Sequence, residues 1–90
     1  MPNANLIEEK KHAIRLSRQA CEIAQLIMQT YNINEYDAIV SFYNSETYKL
    51  LSNSDTKLWW YSIHAIFEIY KTETETGSVF NSLYVLGEYV

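Results

Sequence analysis

The sequence predicts an all-α domain: a compact bundle of about four helices around a long N-terminal helix. Three observations carry this. Gly 2 and Pro 1 in 90 residues leave little turn-rich β architecture to build. From Leu6 to Tyr31 neither breaker occurs, and Ala, Leu, Glu, Lys, Gln and Arg dominate. Three short apolar stripes then follow, each opened by a capping residue. Hydrophobic residues at 48% suffice for one core, and the length admits no second one.

The first helix is expected from Leu6 to Tyr31, after the short lead Met1–Asn5. Asn5 is its expected cap, with Glu8 in a capping-box position. At 100° per residue, Ala13, Leu16, Ala20, Ile23, Ala24 and Ile27 share one face. Ile7, Ile14, Cys21 and Met28 recur every seven residues on its flank. The joint arc of roughly 200° exceeds the ~100° that one core needs. The helix is therefore expected to pack on two sides, with Cys21 buried and inert, and the chain to form a homodimer.

Asn34 predicts a cap for a second helix over 35–43, with Tyr36, Ile39, Phe42 and Tyr43 as its stripe. Ser45 caps a third over 46–52, with Tyr48 and Leu51 inward and Lys49 outward. Ser52-Asn53-Ser54-Asp55 is a loop. Leu58–Tyr61 lacks a helical period and reads as extended, or as a short strand. Alternation would then place Trp60 inside and Trp59 and Tyr61 outside. Ser62 caps a fourth helix over 63–72, with Ile63, Ile66, Phe67 and Tyr70 inward. The polar run Thr72–Ser78 reads as helix end and linker. Residues 1–78 thus form the helical domain. The apolar segment 79–90 packs on it or on a partner, as helix or strand.

No catalytic pattern emerges. His12 and His64 stand on different helices without ligand-spaced partners, so no metal site is expected. No glycine-rich phosphate loop or cofactor motif occurs. The acid pairs lie on exposed stretches and make poor general acids. An enzyme is therefore the weak reading. The balance of Lys+Arg 7 against Asp+Glu 11, formal net charge -4, opposes broad phosphate binding. One local exception is Lys10, Lys11, Arg15 and Arg18, interleaved with Glu8, Glu9 and Glu22. That half of the first helix supports the alternative of a small nucleic-acid-binding regulator. No segment has the apolar length of a membrane span or the pattern of a signal peptide. With one cysteine, the expected compartment is the cytoplasm.

Aromatic residues are the feature above background, at 14% with Tyr 8 and Trp 2. Tyr and Trp are enriched where proteins bind one another. Tyr43, Tyr48, Trp59 and Tyr61 are the candidate partner-binding residues. The stretch that opens at Tyr31 carries Ala38, Phe42, Tyr43, Ser45, Thr47, Tyr48 and Leu51, then Trp59, Trp60 and Ser62. This A-x3-F-Y-x-S-x-T-Y-x2-L pattern resembles a group of short bacterial accessory proteins, some found beside toxin-like genes. The resemblance covers about 40 of the 90 residues. It implies a binding role of the antitoxin or immunity type, with a toxin-like protein as partner, and supplies no catalytic residues. The resulting expectation is a non-enzymatic protein-interaction module.

Overall fold

A computed structural model describes residues 4–82. Among these the chain forms four α-helices: α1 (Ala4–Tyr31), α2 (Glu35–Tyr43), α3 (Glu46–Ser52) and α4 (Ile63–Thr76). Single 3-10 turns lie at Ser54–Thr56, Leu58–Trp60 and Val79–Asn81. The fold is the expected all-α bundle, and no strand occurs among the described residues.

Local chemistry sets most boundaries. Asn32 takes a left-handed φ of 54° after the last turn of α1, a conformation Asn tolerates. Asn34 Oδ1 accepts the Asp37 N–H at 2.8 Å and starts α2. Ser45 Oγ accepts the Tyr48 N–H at 3.0 Å to start α3. Ser62 Oγ accepts the Ala65 N–H at 3.1 Å to start α4. Each cap contributes about 1 kcal/mol. The α1 boundary differs from expectation. The chain is already helical at Ala4, so Asn5 lies inside the helix and not ahead of it as a cap.

The core gathers Ala20, Ile23, Ala24 and Ile27 of α1 with Ala38, Phe42, Leu51, Leu58, Ile66, Phe67, Ile69, Tyr70 and Val79. Phe42 is fully buried, with Tyr48 and Tyr70 edge-on to its ring at 5.5 and 5.7 Å between centroids. Among the described side chains of α1, those that are buried lie at or beyond residue 19. Earlier on the helix Leu16 is half-buried, while Ala13, Ile14, Ile7 and Leu6 are exposed. The expected line of Ile7, Ile14, Cys21 and Met28 is therefore not core. Its first three members are exposed and Met28 is half-buried. Cys21 is corrected from buried to exposed, because α2 flanks it on one side only, across a groove shared with Glu35 and Ile39.

Two further expectations change. Leu58–Trp60 is a 3-10 turn rather than an extended segment. The polar run past Thr72 is helix rather than linker, and α4 continues to Thr76, where Gly77 closes it with φ 85°. The extension has a cause. Glu73 Oε2 accepts the Glu46 N–H at 2.8 Å, and its Oε1 accepts the Thr47 N–H at 3.0 Å and the Thr47 hydroxyl at 2.8 Å. One carboxylate thus caps the positive end of α3 from another helix. Val79 is buried, so the chain past Gly77 returns to the core as a single turn at Val79–Asn81, not as the start of a continuous helix. Residues 83–90 of the expected C-terminal segment lie outside the described residues.

Removing the Glu73 carboxylate leaves three donors of α3 without their acceptor. Glu73→Ala is expected to cost about 2–3 kcal/mol in urea unfolding, on the scale of charge-assisted hydrogen bonds. Glu73→Gln retains one acceptor oxygen and should fall between that variant and the wild type. Amide exchange should show α3 loosening first.

Burial is the main cause that pushes the Tyr70 hydroxyl above its ordinary pKa of 10.0. The unfolded chain therefore ionises Tyr70 at lower pH than the folded one. Its contribution is intact below pH 10.0 and is lost as pH rises through the higher folded value. Urea midpoints should fall above that pH, and Tyr70→Phe should flatten the fall.

Candidate protein-interaction surface

The aromatic residues of the 54–61 segment are positioned by backbone turns and by α1. Thr56 accepts the Leu58 N–H at 3.3 Å, and its hydroxyl lies against the Leu50 and Asn53 carbonyls. Lys57 adopts a left-handed φ of 58° and turns the chain from one 3-10 turn into the next. The Trp60 N–H donates to the Lys57 carbonyl at 3.0 Å, and the Tyr61 N–H to the Leu58 carbonyl at 3.0 Å. At three residues per turn, neighbouring side chains diverge by about 120°. Leu58 enters the core, Trp59 meets α1, and Trp60 points to water.

Trp59 is held by four contacts. Its Nε1–H donates to the Ser54 carbonyl at 2.9 Å. Gln19 Nε2–H donates to the Trp59 carbonyl at 3.0 Å. The Arg15 guanidinium lies 4.6 Å from its ring centroid, within cation–π range. His12 packs edge-on at 6.5 Å, and its Nε2 lies 3.0 Å from the Ser52 carbonyl. A carbonyl only accepts, so Nε2 carries the proton there. His12, Arg15 and Gln19 sit at i, i+3 and i+7, one helix face directed at this turn.

Trp60 stands edge-on to Trp59, with centroids 5.7 Å apart and planes at 83°. It is 77% exposed. Lys57, Trp59, Trp60 and Tyr61 line a shallow depression here. On the other side of Trp59 a cleft of about 480 Å³ is lined by Glu8, Glu9, His12, Arg15, Ser54 and the indole.

The four residues expected to bind a partner fall in two groups. Tyr43 is exposed and packs on half-buried Tyr48, with centroids 4.6 Å apart. Trp59 and Tyr61 are half-buried beside Trp60. The expected order of the Trp pair is reversed. Trp60 is outside and Trp59 is the packed one, because a 3-10 turn does not alternate. Sequence reasoning also missed His12 and Gln19 as supports and treated Arg15 only as part of a charge run. Their common i, i+3, i+7 spacing was the available signal.

Lys10, Lys11, Arg15 and Arg18 are all exposed. Lys11, Arg15 and Arg18 share a face within about 60°. Lys11 lies 3.8 Å from Glu8, Arg15 is engaged on Trp59, and exposed Glu22 joins the same face. Among the described residues no group of three His, Cys, Asp or Glu could hold a metal ion, and no helix is long and apolar enough to cross a membrane. His64 is exposed in the first turn of α4. Comparison with protein-family models, curated proteins and solved structures finds no match.

The packing separates the two tryptophans energetically. Trp59→Ala should cost about 3 kcal/mol in chemical unfolding, as a packed aromatic does. Trp60→Ala should stay within about 0.5 kcal/mol of wild type, the range of surface substitutions.

Proposed function

We propose that the chain is a non-catalytic protein-interaction module whose contact surface centres on Trp60. The observation that carries this reading is a large aromatic side chain left in water on a turn held by its neighbours. An exposed Trp on a preorganised support loses little freedom when a partner covers it. Tyr61 and the Trp59 edge extend the surface beside it, and Tyr43 with Tyr48 offers a second aromatic patch. The resemblance of the Ala38–Ser62 pattern to bacterial accessory proteins supports an antitoxin-like or immunity-type role, with a toxin-like protein as the partner class. The interleaving of Glu8 and Glu22 with the basic residues favours a protein over a nucleic acid as the ligand.

The test is affinity capture from the source organism with wild-type chain and Trp60→Ala side by side. A specific protein retained by the wild type and weakened about 30-fold or more in the variant is the expected result, the size of a hot-spot loss. Equal capture by both chains, or nuclease-sensitive recovery of nucleic acid, would overturn the reading.

A further inference from the structure

The outer flank of α1 is a separate surface. At 100° per residue its centre lies roughly 140° around the helix from the centre of the His12, Arg15 and Gln19 face that supports Trp59, with Arg15 the nearest member of that face. Ile7, Ile14, Cys21 and Met28 run along it at seven-residue spacing over about 31 Å. Ile14 is 63% exposed, and Leu6, Ile7 and Cys21 are exposed with it. A seven-residue apolar spacing keeps its members on one slowly drifting line along the helix, a line that a second helix laid alongside can follow.

The flank has two unlike halves. Its second half is roofed on one side by α2, and a groove of about 200 Å³ there is lined by Cys21, Ala24, Met28, Glu35 and Ile39 among others. Among the described residues its first half has no such roof, and Leu6 and Ala13 are exposed on the side where α2 would continue. Charge divides the same way. Lys10, Lys11 and Arg18 border the first half, and Glu22 and Glu35 border the second.

We infer that this flank is a homodimer interface in which two copies pack α1 against α1 in antiparallel fashion, about a two-fold axis beside Cys21. In that register Ile14 meets Met28 of the second copy and Cys21 meets its own counterpart. The second copy's α2 falls beside the unroofed half of the first. Lys10 lies by Glu35 of the second copy, and Arg18 by its Glu22, each pair occurring twice by symmetry. A parallel pairing would instead bring Lys10 against Lys10 at the seam, which repels. An isologous contact needs a self-complementary face, and unlike charges on the two halves of this one supply that complementarity. The inference is independent of the Trp60 reading, since the two surfaces lie on different sides of α1.

Sedimentation equilibrium of the full chain should give a dimer in the micromolar range. Ile14→Glu should make it monomeric while leaving helix content and the unfolding midpoint of the monomer unchanged, because that side chain is exposed in the single chain. Lys10→Glu alone and Glu35→Lys alone should each weaken dimerisation about tenfold or more, as like charges meet. The double variant should recover it, a rescue that a merely structural role would not give. A short bismaleimide should join two chains through Cys21 in the wild type and fail to do so in Ile14→Glu. A monomeric mass up to high-micromolar concentration would overturn the inference. So would a dimer indifferent to Ile14→Glu, or one that Cys21 cannot crosslink.

Discussion

The structure is governed by a mismatch of lengths. The 28 residues of α1 span about 42 Å, while α2, α3 and α4 have 9, 7 and 14 residues, or about 13, 10 and 21 Å. Short helices joined by short turns can enclose only part of such a rod. They enclose the part that carries Ala20, Ile23, Ala24 and Ile27, where small residues let α2 approach and isoleucines fill the centre. The preceding turns of α1 project past the core: Leu16 still packs against it, while Leu6, Ile7, Ala13 and Ile14 stay in water. Both surfaces described above follow from this one constraint.

What steadies the projecting half is polar. His12 reaches the Ser52 carbonyl, Gln19 the Trp59 carbonyl, and Arg15 covers the Trp59 ring. All three attach to the 52–59 segment, so α1 and the tryptophan turn brace one another. Glu73 makes the corresponding link at the far side of the bundle. It joins α4 to the start of α3 through three hydrogen bonds. α3 is far below the length at which a helix holds itself in water. Its stability comes from Leu51 in the core, from the Ser45 cap and from that carboxylate.

The helices after residue 34 were legible because their signals are local. Asn34, Ser45 and Ser62 act within four residues of themselves, and each cap stands where the pattern places it. The differences have two physical origins: contacts with distant segments, and one local backbone angle. Thr72–Thr76 reads as linker because its composition is polar, yet Glu73 is held in the helix by donors 26 and 27 positions earlier. Cys21 continues an apolar line, and periodicity reports that line without reporting what covers it. Trp59 and Trp60 were assigned by strand alternation, and the left-handed Lys57 replaces alternation with a 3-10 turn. The candidate site was therefore legible as a neighbourhood and not as an arrangement. The aromatic cluster marked the region, while the outward residue was decided by a backbone angle.

The two proposed surfaces also bear on one another. Trp60 belongs to the side of α1 that faces the 54–61 turn, and the seven-residue stripe to a side turned well away from it. A copy bound along the stripe leaves the tryptophan ledge open. An antiparallel two-fold pair carries two such ledges, related by symmetry and fixed in separation by the paired α1 helices. A partner with two matching sites at that separation would bind the second ledge as an intramolecular event, at an effective concentration set by geometry rather than by supply. Modest affinity at each Trp60 would then suffice.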